Sequence, residues 1–97
     1  MTIEIKRTEE TVIMLTGRLD TATAPALEKT IQEDIAETSN LVLDMRNLEY
    51  LSSAGLRVIL GAEKKMQKKG KMKLTNVCED VMELLAMTGF AEILTIE

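Results

Sequence analysis

Near the middle of this 97-residue chain, Leu41-Val42-Leu43-Asp44-Met45 is almost continuously apolar, and segments on both sides carry apolar residues at helical spacing. A short run of that kind suits a central strand covered on both faces, with the flanking helices as the covers. Upstream, Ile3 and Ile5 alternate with charged residues, Thr8-Glu9-Glu10 makes a turn, and Val12-Ile13-Met14-Leu15 forms a second run ended by Thr16-Gly17. That order predicts a β-hairpin. Leu27, Ile31 and Ile35 then recur every four residues as one helical stripe. Thr21 or Thr23 can cap that helix, and Pro25 fits a first turn in which its missing N–H has no partner to lose. Thr38-Ser39-Asn40 ends the segment.

A second helix is predicted from Ser52-Ser53 to about Lys68, with Leu56, Ile59 and Leu60, then Glu63 or Met66, at helical spacing. Lys64, Lys65, Lys68 and Lys69 crowd its last turns, where cations complement the helix dipole, and Gly70 can close it. Met72 and Leu74 alternate with lysines as another strand. Val77, Val81, Leu84 and Leu85 form a third stripe closed by Gly89, with Phe90 placed to pack back, and Ile93-Leu94-Thr95-Ile96 reads as a final strand. The expected fold is α/β, a single domain over residues 1–97. Its order along the chain is β-β-α-β-α-β-α-β, a central mixed sheet of about five to six strands packed with three helices.

Composition narrows the chemistry. The chain has no histidine, which excludes imidazole acid–base catalysis, imidazole metal ligation and a phosphohistidine. Cys78 is the only cysteine, which excludes an intrachain disulfide and fits a structural thiol in a reducing compartment. Net charge is −4 and the only aromatics are Tyr50 and Phe90, so no nucleic-acid partner is expected. The lysines from Lys64 to Lys73 read as a solvated helix end and strand edge, and the methionines as adaptable core filler. No apolar run reaches the ~18–20 residues of a membrane span and no signal peptide opens the chain, so no membrane association and a cytoplasmic location are expected. Asp20, Asp44 and Glu49 offer carboxylates, but no spacing joins two of them; no enzyme activity, cofactor or metal site is expected. Small size and a charged surface point to a monomer.

The densest local signal is Asp44-Met45-Arg46-Asn47-Leu48-Glu49-Tyr50-Leu51-Ser52-Ser53-Ala54-Gly55-Leu56. A strand ends, a short polar turn follows, and two serines open a helix with glycine in its first turn. One serine serves as a cap. A second is one more than a cap needs, and as an exposed hydroxyl it suits phosphorylation, which adds about −1.5 to −2 charges where a helix start tolerates an anion. Gly55 lets another backbone or a phosphate approach closely. Arg57, Val58 and Gly61 fall beside the buried stripe, with Val58 either a partner contact or a helix flank.

Leu15-Thr16-Gly17-Arg18-Leu19-Asp20, Ala24-Pro25-Ala26-Leu27, Leu41-Val42-Leu43-Asp44, Tyr50-Leu51-Ser52-Ser53-Ala54-Gly55-Leu56 and Met87-Thr88-Gly89-Phe90 occur in order over essentially the whole chain. The set resembles the STAS domain of bacterial anti-sigma factor antagonists. The resemblance implies a binding module rather than an enzyme. Unphosphorylated, such a module captures a GHKL-type anti-sigma serine kinase and frees the sigma factor; phosphorylation at the start of the second helix releases it, and a PP2C-type phosphatase resets it. By position the modified serine is Ser53. Many members have Asp before that serine, whereas this chain has Ser52, which leaves Ser52 as the alternative. The implied partner surface comprises Asp20, Ser52, Ser53, Ala54, Gly55, Arg57, Val58 and Gly61, with Asp20 equally readable as a turn residue. The alternative function is a constitutive STAS docking subunit of a transporter or signalling complex, in which Ser53 only caps its helix.

Overall fold

The structure, a computed structural model, describes residues 1–35 and 38–97, with side chains described outside residues 34–37. In chain order the elements are β1 (Thr2–Arg7), β2 (Thr11–Leu19), α1 (Ala24–Ile35), β3 (Asn40–Leu51), α2 (Ser53–Gln67), β4 (Lys71–Thr75) and α3 (Glu79–Thr88), followed by a 3-10 turn over Phe90–Glu92. The sheet order is β1-β2-β3-β4. β1 and β2 form the expected antiparallel hairpin, while β2, β3 and β4 run parallel. The mixed α/β architecture with three helices is therefore the one the sequence predicts.

The sheet has four strands among the described residues rather than five to six. The segment expected as a last strand contributes one parallel bridge, Leu74 to Ile96, framed by Leu74 N–H donating to Thr95 O and Glu97 N–H donating to Leu74 O. The chain after α3 first turns through Phe90–Glu92 and then buries Leu94, which leaves only its end to lie along β4.

β2 and β3 are longer than predicted. β2 continues through Thr16 and Gly17 to Leu19, and β3 runs to Leu51 through the residues expected to form a polar turn. Their parallel pairing contains two register shifts, between Met14 and Thr16 and between Gly17 and Arg18, each placing one extra residue on β3. These bulges carry the buried positions of β3 from Met45 to Leu48 and then to Leu51, three residues apart rather than two. The alternation that advertises a strand is thus broken where the strand continues.

Leu41, Val42, Leu43, Asp44 and Met45 are all buried, so the sheet is covered on both faces here. Asp44 is tolerated because its Oδ1 accepts from Asn76 Nδ2 (3.1 Å) and Arg46 N–H (3.0 Å). α1 buries Leu27 and Ile31; Ile35, the third position of its predicted stripe, lies outside the residues whose side chains are described. α2 buries Gly55, Leu56, Ile59, Ala62, Glu63 and Met66, a stripe at helical period with one carboxylate in it. α3 buries Val81 and Leu85 and ends at Gly89 in the left-handed conformation (φ 81°) that glycine adopts without strain.

Leu43 is fully buried at the middle of the central strand. Leu43→Ala removes its contacts on a sheet face that cannot collapse, and should destabilise by about 2–5 kcal/mol. Urea unfolding measures this, and a midpoint unchanged from wild type would contradict the placement of β3.

Candidate partner-docking site

β2 and β3 end side by side, Leu19 opposite Leu51, so the turn after β2 and the start of α2 meet at one end of the sheet. Ser52 N–H donates to Leu19 O (2.9 Å). Ser52 itself is extended (φ −92°, ψ 171°), its Oγ accepts from Gly55 N–H (3.2 Å) and its carbonyl accepts from Leu56 N–H (2.9 Å). Ser52 is the helix cap, half-buried, with its hydroxyl engaged. Ser53 is the first residue of α2; its side chain is exposed and hydrogen-bonds to no described residue.

Gly55 is buried, and a Cβ there would sit 2.5 Å from Leu19 Cγ and 3.0 Å from Leu19 O. The backbone that approaches Gly55 is therefore that of β2. Of the residues expected on a partner surface, Gly55 alone is fully buried, and it holds the first turn of α2 against the sheet from beneath.

Asp20 occupies the turn between β2 and α1. Its Oδ1 accepts from Ala22 N–H (3.0 Å) and Thr23 N–H (3.1 Å), while its own N–H donates to Thr23 Oγ1 (2.8 Å). Thr23 Oγ1 donates in turn to Arg18 O (2.8 Å). Thr23 thus ties the turn to β2 with its side chain, and its backbone carbonyl receives Leu27 N–H at the helix start. The Thr23 N–H foremost, helped by the Ala22 N–H and the Arg18 charge, holds the Asp20 carboxyl below its ordinary value of 3.8 against an opposing push from desolvation.

The remaining predicted residues divide between two hollows on either side of the first turns of α2. Ala54, Arg57, Val58 and Gly61 line a groove of about 410 Å³ between α2 and α1, where Thr21 and Pro25 form the opposite wall. A Cβ at Gly61 would meet nothing within 4 Å, so the groove is open above it. Ser52 and Ser53 line a second hollow of about 460 Å³ floored by Leu56 and Leu84, with Tyr50 and Asp80 at its rim. Asp20 lines neither.

One pair escaped the sequence reading. The Arg18 guanidinium sits 4.2 Å from the centroid of the Tyr50 ring, and Tyr50 is 41% exposed beside the serines. Such a pair contributes about 0.5–1 kcal/mol at an exposed site and presents a rigid, cationic, partly apolar surface. The strand pairing of Arg18 with Tyr50 creates it, and that pairing was invisible while β3 was expected to stop near Met45. Among the described residues, no group of three or more Asp, Glu, Cys or His side chains converges to hold a metal ion, and no helix is long and apolar enough to cross a membrane.

The family model of the STAS domain matches residues 2–97. This chain belongs to the STAS domain family. Over 88 residues it is 35% identical to an anti-sigma F factor antagonist of Paenibacillus polymyxa, covering 88% of this chain and 75% of that one. The crystal structure of an anti-sigma factor antagonist from Mycobacterium paratuberculosis superposes with a TM-score of 0.90 at 25% identity, covering 98% of this STAS chain and 83% of the other. The Bacillus cell fate determinant SpoIIAA in its phosphorylated form shares the fold with a TM-score of 0.78 at 18% identity, covering 99% and 91%.

Two outcomes follow from the hydrogen bonds of this STAS domain. Ser52→Ala loses the cap and should destabilise by about 1 kcal/mol, while Ser53→Ala should fall within a few tenths of wild type. Urea titrations of both variants decide, and equal losses would mean that the cap is shared. In an NMR pH titration the Asp20 carboxyl should show a midpoint below 3.8. Because folding favours its ionised form, Asp20 contributes its stability above the unfolded value and loses it as pH falls through the folded one. A midpoint at or above 3.8 would show that the bond to Thr23 N–H is not held in solution.

Proposed function

We propose that this STAS domain is an anti-sigma factor antagonist whose unmodified surface around Ser53 binds a GHKL-type anti-sigma serine kinase and so frees a sigma factor. Phosphorylation of Ser53 by that kinase releases the domain, and a PP2C-type phosphatase returns it to the binding form. The observation that carries this reading is the division of labour between the two serines: Ser52 Oγ is engaged in the cap, and Ser53 Oγ is exposed and unbonded one residue later. A kinase can take the Ser53 hydroxyl without dismantling the helix start, whereas Ser52 would have to give up its bond to Gly55 N–H. The names of the similar proteins support the same reading, since they are anti-sigma factor antagonists, and one neighbour of the same fold has been captured phosphorylated.

Docking would use the exposed and half-buried side chains of Asp20, Ser52, Ser53, Ala54, Arg57 and Val58 and the open backbone at Gly61, with Gly55 as their support. The apolar hollow next to Ser53 and the open groove at Gly61 give a partner two places to bury side chains. A phosphate at the first residue of α2 adds about −1.5 to −2 charges where the helix dipole favours an anion, so the fold keeps its shape while the interface must desolvate a dianion. Turning a partner from almost fully bound to almost fully free takes about 5.5 kcal/mol of differential affinity, and a buried unpaired dianion supplies several of these without any refolding. On this reading the domain acts as a cytoplasmic monomer, and the phosphoryl chemistry, with its nucleotide and metal, belongs to the kinase and phosphatase.

The test is a pull-down from native lysate with wild-type, Ser53→Ala and Ser53→Asp baits, read by mass spectrometry with phosphosite mapping. An ATPase-type kinase should be held by wild type and Ser53→Ala and be at least a hundredfold weaker on Ser53→Asp, roughly 2.7 kcal/mol. Phosphate should map to Ser53 and persist in Ser52→Ala. Capture of the same membrane or complex subunits by all three baits would replace the switch with constitutive docking.

A further inference from the structure

Ser53 and Arg57 stand four residues apart in α2, and the side chains of both are exposed. At that spacing two residues are neighbours on one helix face, with Cβ atoms about 5–6 Å apart. Long helical side chains lean back over the preceding turn, so the reach of Arg57 covers the position of Ser53. Arg57 makes no hydrogen bond or ion pair with any described residue. Across the groove toward α1 stands Glu28, whose Oε1 accepts from Gln32 Nε2 (3.4 Å) instead. The cation one turn from the free hydroxyl is therefore uncommitted.

The charges around Ser53 decide where a phosphate on its hydroxyl turns. Ser53 shares its hollow with Tyr50, Thr88 and Asp80. Asp80 is exposed on the first turn of α3, and its carboxylate repels a dianion swung to that side. Two guanidinium groups compete on the other sides. Arg18 is held over the Tyr50 ring, 4.2 Å from its centroid, and drawing it to a phosphate breaks that stack. Arg57 has no such contact to give up. A phosphoserine carries three acceptor oxygens, which suit the planar fork of a guanidinium. The order along the chain also fits, since an anion N-terminal to a cation at this spacing is the favourable arrangement in a helix.

We propose that Arg57 is the residue of this chain that holds the phosphate of a modified Ser53, as an ion pair spanning one turn of α2. The proposal rests on the reading of Ser53 as the modified serine. Modification then changes the surface twice. It adds a dianion at Ser53, and it draws Arg57 away from the groove between α1 and α2 that Arg57 lines in the free domain. A partner that reads Arg57 in that groove is refused on both counts.

The test uses the full chain with phosphoserine installed at position 53 during translation, so it needs no kinase. The 31P signal is titrated with pH in wild type, Arg57→Gln, Arg57→Lys and Arg18→Gln. An ion pair favours the dianion, so Arg57→Gln should raise the phosphate midpoint by at least about 0.3 pH unit. Arg57→Lys keeps the charge without the fork and should fall between, while Arg18→Gln should move the midpoint less than Arg57→Gln does. The Arg57 Nε–H cross-peak should also shift between the unmodified and modified chains. A midpoint that stays put in Arg57→Gln would overturn the proposal. So would a larger move in Arg18→Gln, because the phosphate would then have turned onto the Tyr50 stack. A kinase that modifies Ser52 in cells would show in the phosphosite map, and would overturn the switch at Ser53 without altering these midpoints.

Discussion

The junction between Leu19 and the first turn of α2 is the contact on which this molecule turns. Leu19 is fully buried, its carbonyl receives Ser52 N–H, and its side chain fills the space a Cβ would occupy at Gly55. Three things are fixed at once by that contact. It closes the β2–β3 pairing at its carboxyl end, it sets the depth at which α2 lies on the sheet, and it orients the two serines. Any side chain at 55 would lift the helix start away from β2, and Ser52 would lose the geometry that lets its Oγ cap Gly55 N–H. The turn after Leu19 is braced from the other side, where Thr23 bonds back to Asp20 and to Arg18.

Much of this was legible in the sequence, because the signals were local and redundant. The Ile3 and Ile5 alternation, the Val12–Leu15 and Leu41–Met45 runs, and the helical stripes at Leu27 and Ile31 and at Leu56 and Ile59 each carry the signature of the element they form. The two serines stood out for the same reason, since a cap and a spare hydroxyl can be counted before any fold is known. What was hidden was set by pairing. The bulges that carry β3 on to Leu51 exist because β2 and β3 must keep their buried residues in step, and that requirement belongs to neither strand alone. The Arg18–Tyr50 stack was missed with them. The last strand was over-read because Leu94 points into the core instead of continuing a ladder, which an apolar run cannot reveal. Glu63 was seen at helical spacing, but only the structure shows that its Oε2 is buried without a hydrogen-bond partner.

The arrangement of α2 explains how a charge added at one end can act without disturbing the rest. Ser53 and Glu63 lie ten residues apart, about 15 Å along the helix. Between them the helix is pinned by Leu56, Ile59 and Ala62, all 5% exposed or less, so a rigid-body response to modification would have to break the core. The dipole already favours an anion at Ser53, and Lys64 and Lys65 complement its other end. Under the proposed modification, a phosphate at Ser53 would meet little resistance from the fold and a great deal from whatever surface has to cover it. In the switch proposed above, such a domain would signal by changing which partner can touch it, with its own shape nearly constant, and that role would need a helix-start hydroxyl free of the capping work that its neighbour performs.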